Sequence, residues 1–190
     1  MTRIIAGLAG SIPLKGPASA TRPTSDRVKE SLFSTLESLD VIFDASVLDL
    51  FAGTGALGLE AASRGARNVT LVESDKQAAQ VCRENLEKVR TAIQKSDGDC
   101  QITLSAIAVG KFLDKSPAGF DLVLLDPPYD YANQSLENEL KKLLSCTNRD
   151  AVFVVERSSK SPTPNFDSRF TEIQFKNYGD TVIHILRKLD

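Results

Sequence analysis

The segment Val47–Gly58 constrains the fold more than any other part of the chain, because it joins a strand, a glycine-rich turn and a helix start. Ser46–Phe51 is a short apolar run, which is typical of a buried parallel strand. Glycines follow at Gly53, Gly55 and Gly58, and glycines there let a ligand approach the backbone beside a helix N-terminus. The segment predicts a nucleotide-binding α/β fold. A tight turn that holds no ligand is the alternative.

The rest of the chain alternates strand-like and helix-like patterns. Strands are predicted at Ser46–Phe51, Asn68–Glu73, Gln101–Leu104, Phe120–Leu125 and Ala151–Glu156, and helices at Ala56–Arg64, Asp75–Ile93 and Leu136–Leu144. Such alternation implies a mostly parallel sheet covered by helices. Two further strand-like runs, Phe170–Lys176 and Thr181–Arg187, are joined by a turn at 177–180. They predict an antiparallel hairpin at the sheet edge.

The first 45 residues stand apart from this alternation. Ile4–Leu14 predicts a small hairpin with two glycines in its turn region. A helix is expected to start near Thr24 or Ser25, whose hydroxyl can cap it, and to carry an apolar stripe on one face (Val28, Leu32, Leu36 and Leu39). We therefore divide the chain into an N-terminal extension at 1–45 and a larger domain at 46–190.

The formal net charge of −2 argues mildly against a nucleic-acid-binding protein, but the charge is unevenly distributed. Residues 1–29 carry five basic side chains against one acidic side chain, whereas the remainder carries 18 basic and 24 acidic ones. A basic N-terminal face can meet phosphates while the body stays acidic. Chance clustering on a solvated surface is the alternative.

Metal binding and membrane insertion find little support in the sequence. The cysteines Cys82, Cys100 and Cys146 lack paired ligand spacing, and the single histidine, His184, lies in a strand-like run. We expect reduced cysteines, a structural histidine and no metal. No apolar run reaches the ~20 residues of a membrane span, and the start of the chain lacks the apolar stretch of a signal peptide. We expect a cytoplasmic protein.

Two acidic side chains bear on which ligand such a glycine turn can hold, and one of them discriminates between the candidates. Glu73 stands at the end of the second predicted strand, where an acid can accept hydrogen bonds from both ribose hydroxyls of NAD or of S-adenosylmethionine (SAM). Asp49 precedes the turn, where a carboxylate would repel the pyrophosphate of NAD. The same carboxylate suits the ammonium group of SAM. The turn therefore favours SAM over NAD.

The tetrapeptide Asp126-Pro127-Pro128-Tyr129 directly follows the fourth predicted strand. If the first and fourth strands are neighbours, the tetrapeptide and the glycine turn face each other across one cleft. The Asp126 carboxylate and the Pro127 carbonyl can hold the two N–H groups of a base's exocyclic amine and aim its lone pair at a methyl carbon. The paired prolines lack N–H groups and fix φ, and Tyr129 can stack on the base.

This tetrapeptide predicts transfer of a methyl group to an exocyclic amino group of a nucleic-acid base. The alternative is a strand-terminating turn with Tyr129 in the core.

Together these motifs resemble the RsmD family, bacterial 16S ribosomal RNA guanine-N2 methyltransferases with the Rossmann-like class I SAM-dependent methyltransferase fold. The resemblance runs over nearly the whole chain. It is carried by segments 3–7, 22–33, 48–61, 63–66, 126–129 and 178–179. Segment 22–33 is the most specific, because the glycine turn and the tetrapeptide are shared by many amino-methyltransferases.

The resemblance implies defined roles for individual residues. The SAM-binding residues would be Asp49, Phe51, Gly53, Thr54, Gly55, Glu73, Ser105 and Ala106; the catalytic ones Asp126, Pro127, Pro128 and Tyr129; and the RNA-binding ones Arg3, Arg22 and Arg27. The partner would be 16S rRNA or the assembling 30S subunit, and we expect a monomer. Alternatively, Arg27 pairs with Glu30 or Ser31 on an exposed helix face.

The sequence departs from the family at one position. The family usually has an acid after the third strand, in contact with the adenine amino group of SAM. Ser105-Ala106 occupies that place here, which weakens this contact.

Three other functions compete with rRNA methylation. Adenine-N6 or cytosine-N4 methylation of DNA uses the same tetrapeptide, but 190 residues leave little room for a DNA recognition domain. An NAD-dependent oxidoreductase is disfavoured by Asp49. A non-catalytic RNA-binding assembly factor is disfavoured by the intact tetrapeptide.

Overall fold

The computed structural model describes residues 2–16, 26–115 and 117–189. Within these ranges seven strands form one sheet in the order β3-β2-β1-β4-β5-β7-β6. The strands are β1 (Ser46–Leu50), β2 (Asn68–Val72), β3 (Gln101–Ser105), β4 (Phe120–Leu125), β5 (Thr147–Ser158), β6 (Phe170–Tyr178) and β7 (Thr181–Lys188). The helices are α1 (Asp26–Ser38), α2 (Ala56–Ser63), α3 (Lys76–Lys95), α4 (Val109–Leu113) and α5 (Asn133–Leu143).

Strands β1 to β5 run parallel, and β6 and β7 form an antiparallel hairpin at the sheet edge. The predicted α/β fold and its C-terminal hairpin are therefore confirmed. Arg22 and the predicted helix cap at Thr24 or Ser25 lie outside the described residues.

The sheet reverses its strand order at β1, and this reversal brings the two predicted motifs together. From β1 the chain adds β2 and β3 on one side, then returns to add β4 on the other. Leu50 of β1 lies opposite Leu125 of β4 in the parallel register. Ligands of such sheets bind outside the carboxyl ends of the strands, at the point of reversal. The predicted adjacency of the first and fourth strands is confirmed.

Two apolar cores cover the two faces of the sheet, because side chains alternate between the faces along each strand. One core contains Val47 together with side chains of α1, α2, α3 and the N-terminal hairpin. The other contains Leu48 together with side chains of α4 and α5. Covering on both faces explains why β1 reads as a continuous apolar run.

The hairpin predicted at Ile4–Leu14 is present, closed by a single β-bridge between Arg3 and Pro13 rather than by regular strands. Its turn packs against the end of α2. Gly7 has a φ of +83°, and a Cβ at this position would lie 2.0 Å from the carbonyl oxygen of Ser63. Only glycine therefore lets the hairpin approach the helix this closely.

The buried carboxylate of Glu60 on α2 ties the N-terminal extension to the larger domain. It accepts hydrogen bonds from the backbone N–H groups of Ile5 (2.7 Å) and Ala6 (3.1 Å) and from the Arg64 guanidinium (2.8 Å). The Lys29 ammonium lies 3.7 Å from it and is only 1% exposed. Lys29 is thus part of a buried ion cluster. Lys29 is one of the five basic side chains counted in residues 1–29, but it does not contribute to a basic surface face. The sequence could not show this, because Glu60 is distant from Lys29 along the chain.

Helix α1 packs against the C-terminal hairpin. Its apolar stripe is confirmed, since Leu32 and Leu36 are buried. The Ser31 hydroxyl lies 2.8 Å from the Tyr178 hydroxyl at the end of β6. Because β6 pairs antiparallel with β7, and β7 pairs antiparallel with β5, β6 points in the same direction as the parallel strands. Its last residue therefore lies on the side of the sheet where the carboxyl ends of those strands are found. The first turns of α1 therefore lie towards the carboxyl ends of the parallel strands.

Several predicted boundaries shift in the structure. β1 ends at Leu50 because Phe51 adopts a left-handed φ of +63°. β5 is longer than the predicted Ala151–Glu156, because Thr147 also pairs with β4, and Arg157 and Ser158 pair with β7. Helix α4 was not predicted, since five residues are too few to show a helical repeat.

Candidate functional site

The glycine turn after β1 is held in a backbone conformation that requires glycine. Gly53 and Gly55 have φ values of +56° and +83°, and Gly55 donates a hydrogen bond to the Ala52 carbonyl at 2.7 Å. A Cβ on Gly55 would lie 2.9 Å from the sulfur of Cys82 on α3. The carbonyl of Thr54 accepts a hydrogen bond from the buried Asn85 side chain at 3.0 Å. A hydrogen bond within the turn and contacts with side chains of α3 thus fix its conformation.

Asp49 is buried beneath this turn rather than exposed at its rim. Its carboxylate accepts a hydrogen bond from the backbone N–H of Gly58 in α2 at 2.8 Å. A Cβ on Gly58 would lie 3.0 Å from the same carboxylate and 2.3 Å from a methyl group of Leu71. Burial raises the pKa of Asp49 to about 8, reinforced by the neighbouring charges of Asp126 and Glu73. The sequence did not indicate this internal role.

Glu73 follows β2 and supports the glycine turn directly. One carboxylate oxygen accepts a hydrogen bond from the Gly53 N–H at 2.7 Å, and the other accepts one from the Asp75 N–H at 2.7 Å. The side chain is half-buried, and each carboxylate oxygen can accept a second hydrogen bond. Glu73 is therefore placed to hold the turn and to accept ligand hydroxyls at once.

The acidic side chains at the carboxyl ends of the strands discriminate between the candidate ligands, NAD and SAM. Three carboxyl groups, Asp49, Glu73 and Asp126, converge at the ends of β1, β2 and β4, and they raise the pKa of Asp49 by mutual repulsion as well as burial. Even though Asp49 is protonated below about pH 8, this group of acids disfavours a pyrophosphate and favours a ligand with positive charge. The residues present therefore fit the ammonium and sulfonium groups of SAM better than NAD.

The tetrapeptide after β4 forms a tight turn with an exposed aromatic tip. The Pro128 carbonyl accepts a hydrogen bond from the Tyr131 N–H at 2.9 Å, which closes a β-turn over residues 128–131. Tyr129 is 51% exposed at this turn, so it is not a core aromatic. Asp126 is half-buried and Pro127 is buried. Burial raises the pKa of Asp126 to about 6.

Ser105 and Ala106 lie at the carboxyl end of β3, beside the end of β2. The Ser105 carbonyl accepts a hydrogen bond from the Glu73 N–H at 3.1 Å. Ser105 is half-buried and Ala106 is exposed. The position expected to carry an acid is thus at the correct edge, with a hydroxyl in its place.

Two of the three predicted RNA-binding arginines, Arg3 and Arg27, lie among the described residues of the N-terminal extension. Arg3 is exposed, and its guanidinium is 3.7 Å from the Asp26 carboxylate. Arg27 is exposed on the first turn of α1. Lys15 is occupied by an ion pair with Glu84 at 2.9 Å. The structure thus leaves a smaller basic face than the sequence count indicated.

A second set of side chains at this edge was missed by sequence reasoning. Arg157 on β5 is 3% exposed and donates a hydrogen bond to the Tyr131 carbonyl at 2.7 Å. The Tyr131 hydroxyl donates to Glu139 on α5 at 2.6 Å, and its ring packs edge-on against Phe51, with centroids 4.9 Å apart. An arginine close behind the apolar run Ala151–Val155 was the one available signal.

The remaining predicted features are structural. His184 is buried on β7 and lies 2.6 Å from the Glu172 carboxylate. Cys82 and Cys146 are buried free thiols, and Cys100 is half-buried. In the part of the chain that the structure describes, no helix is long and apolar enough to cross a membrane. Across those same residues, no group of three or more His, Cys, Asp or Glu side chains is arranged to hold a metal ion.

Comparisons with known proteins agree with this geometry. A family model described as Conserved hypothetical protein 95 matches residues 2–187. The chain is 36% identical to ribosomal RNA small subunit methyltransferase D of Haemophilus influenzae, over 84% of this chain and 80% of that protein. The solved structure of yhhF from Escherichia coli has a TM-score of 0.84 and 30% identity, over 98% of this chain and 97% of that one.

A more distant structure shares the fold alone. Magnesium protoporphyrin IX methyltransferase from Synechocystis, solved with bound SAM, has a TM-score of 0.63 and 14% identity, over 85% of this chain and 78% of that one. The match over nearly the whole chain and the likeness to methyltransferase D establish the conclusion that the motifs indicated. The chain belongs to the RsmD family of methyltransferases.

Proposed function

We propose that this protein methylates the N2 amino group of a guanine in small-subunit (16S) ribosomal RNA, with SAM as the methyl donor. The observation that carries the proposal is the pairing of β1 with β4. This pairing places the glycine turn, which is surrounded by acidic side chains, beside the Asp126–Tyr129 tetrapeptide at the carboxyl ends of the two strands. Family membership supports SAM-dependent rRNA methylation; the guanine N2 position is the finer part of the proposal.

The SAM site is formed by the residues at the ends of the first three strands. Asp49, Phe51, Gly53, Thr54, Gly55, Glu73, Ser105 and Ala106 would hold the cofactor. Glu73 would accept hydrogen bonds from ribose hydroxyls through its free lone pairs. When bound, SAM supplies an activated methyl group on its sulfonium. The surrounding carboxyl groups favour that positive charge.

The guanine amine would be held by Asp126 and Pro127. The Asp126 carboxylate and the Pro127 carbonyl accept its two N–H groups, which turns the nitrogen lone pair towards the methyl group. The Pro128 carbonyl is occupied within the β-turn, so its part is to keep that turn rigid. With a pKa raised to about 6, Asp126 can also take the amine proton onto its carboxylate oxygen.

Tyr129 would bind the unstacked base through its exposed ring. Stacking of a base on an aromatic side chain contributes about 1–3 kcal/mol. Arg3, Arg22 and Arg27 would contact phosphates on either side of the target nucleotide. We expect the protein to act as a monomer on 16S rRNA or on the assembling 30S subunit.

The test is methyl transfer to defined substrates. Purified protein is incubated with methyl-labelled SAM and either naked 16S rRNA, 30S subunits from cells that lack the protein, or duplex DNA, and the nucleosides are then identified. We expect labelled N2-methylguanosine from one of the two RNA substrates. Label on adenine or cytosine of duplex DNA would identify a DNA methyltransferase instead. No label on any substrate, with retained RNA binding, would indicate a non-catalytic assembly factor.

A variant of the proposed catalytic residue separates chemistry from cofactor binding. Asp126→Ala is expected to abolish turnover while SAM binding, measured by calorimetry, stays largely intact. Full activity of this variant would refute the assignment of Asp126. Tyr129→Phe is expected to keep RNA affinity, because the stacking face is retained.

A further inference from the structure

Arg157 stands out because its guanidinium is buried and, among the residues that the structure describes, has no carboxylate partner. It lies near the end of β5 and is 3% exposed. Within the described ranges it forms no ion pair, and its Nε is buried with no hydrogen-bond partner. Burial lowers its pKa. A buried charge that is not paired is costly, so stability alone does not explain an arginine here.

Its two terminal nitrogens both point at one short segment. Nη2 donates to the Tyr131 carbonyl at 2.7 Å and to the Asn133 side-chain oxygen at 3.0 Å. Nη1 lies 3.5 Å from the Pro128 carbonyl. Pro128 and Tyr131 are the first and last residues of the β-turn that carries Tyr129. Arg157 therefore grips both ends of that turn from the neighbouring strand.

Tyr131 extends this contact to the glycine turn. Its ring packs edge-on against Phe51, whose left-handed backbone begins the glycine turn. Its hydroxyl is anchored on Glu139 of α5 at 2.6 Å. The turn after β4 and the turn after β1 are thus joined by one aromatic contact, and Arg157 holds one side of it.

We propose that Arg157 is a positioning residue that fixes the Tyr129 turn against the glycine turn, so that base and methyl donor meet at a set distance. This inference rests on the proposed function. The planar fork of arginine suits the task, because it can donate to several acceptors in one plane at once, whereas a lysine ammonium is a single point of charge. A displacement of about 1 Å between reacting groups can reduce turnover on the order of 100-fold.

Kinetics with matched variants test the proposal. Arg157→Lys and Arg157→Met are compared with Arg67→Met, which removes an exposed arginine paired with Asp44 at 3.7 Å. We expect both Arg157 variants to lower kcat about 10- to 100-fold and to change SAM affinity little. Arg157→Ala, which leaves room for the added molecule, should lose kcat likewise and recover in part with methylguanidinium. Arg67→Met should match the wild type. Unchanged kcat in Arg157→Met, or equal losses in kcat and SAM affinity without rescue, would overturn the proposal.

A fluorescence measurement tests the same idea without activity. The chain contains no tryptophan, so Tyr129→Trp places a single probe at the tip of the turn. On this background, Arg157→Lys and the milder Asn133→Ala should each increase the fast motion of the indole in time-resolved anisotropy. Unchanged anisotropy in both would refute the positioning role. If the wild-type protein methylates nothing but the anisotropy changes as expected, the proposed function fails while the positioning role stands.

Discussion

Replacing Glu60 with alanine should detach the N-terminal hairpin and lower stability more than any surface change. The Glu60 carboxylate is completely buried and accepts hydrogen bonds from two backbone N–H groups and from Arg64. It also faces the Lys29 ammonium, which is 1% exposed. Glu60→Ala removes the acceptor from all four groups at once.

The magnitude follows from the burial of those groups. Breaking a buried ion pair by removing one partner costs about 3–5 kcal/mol, because the other charge is left uncompensated. Each unsatisfied N–H adds roughly 1–3 kcal/mol if water cannot reach it, but Ile5 and Ala6 are half-buried, and contributions of contacting groups are not additive. We therefore expect a loss of about 3–5 kcal/mol, which lowers Tm by roughly 6–20 °C for a chain of this size.

Thermal unfolding followed by circular dichroism checks this value. The matched control is Glu87→Ala on α3, since Glu87 is exposed and forms an ion pair with the neighbouring Arg90. This variant should lose less than about 1 kcal/mol. Limited proteolysis should cleave the Glu60→Ala variant within residues 2–16 first. A Tm loss no larger than that of Glu87→Ala would refute the description of Glu60 as the anchor of the hairpin.

Three further predictions follow from the site. Gly58→Ala would place a Cβ 2.3 Å from a Leu71 methyl group and should lose about 1–3 kcal/mol by overpacking, whereas Gly110→Ala, with open space around it, should not destabilise in the same urea titration. Between pH 3.8 and about 8, Asp49 keeps its proton in the folded state but loses it in the unfolded state. The free energy of unfolding of the wild type, measured by urea titration, should therefore fall relative to that of Asp49→Asn as pH rises through this window. Parallel pH dependence of the two proteins would contradict this. If Asp126 accepts the amine hydrogens as proposed, its carboxyl group must be ionised, so kcat/KM should fall as pH drops below about 6. A flat profile from pH 5 to 8 would exclude that role.

Structure that is encoded by neighbouring residues was predictable from the sequence. Contacts between residues that are far apart along the chain were not. Val47–Gly58 indicated the β1 turn because strand period, glycines and helix start are all local signals. Lys29, by contrast, looked like a surface cation, because nothing near it in sequence reveals that Glu60 on a later helix encloses its ammonium group. The same holds for Arg157, whose acceptors are mainly backbone carbonyls that carry no residue-specific signal.

The role of Asp49 shows the same limit. The sequence placed its carboxylate at the correct strand end and correctly favoured a cationic ligand. It did not show that the side chain lies under the turn, bound to the Gly58 N–H, because that contact depends on how closely α2 approaches β1. Tyr129 was ambiguous between core and surface for a similar reason, and only the β-turn decides that its ring is exposed.

The long-range contacts of Glu60 and Arg157 also set an order in which the protein becomes functional during its own synthesis. A chain leaves the ribosome N-terminus first, so the hairpin must wait for Glu60, which follows Ile5 by 55 residues. The Tyr129 turn must likewise wait for Arg157, which follows Pro128 by 29 residues. Until then a nascent chain carries the proposed base-binding side chains without their fixed geometry. Under the proposed function and positioning role, the protein therefore reaches full activity only after β5 has been synthesised and has paired with the sheet.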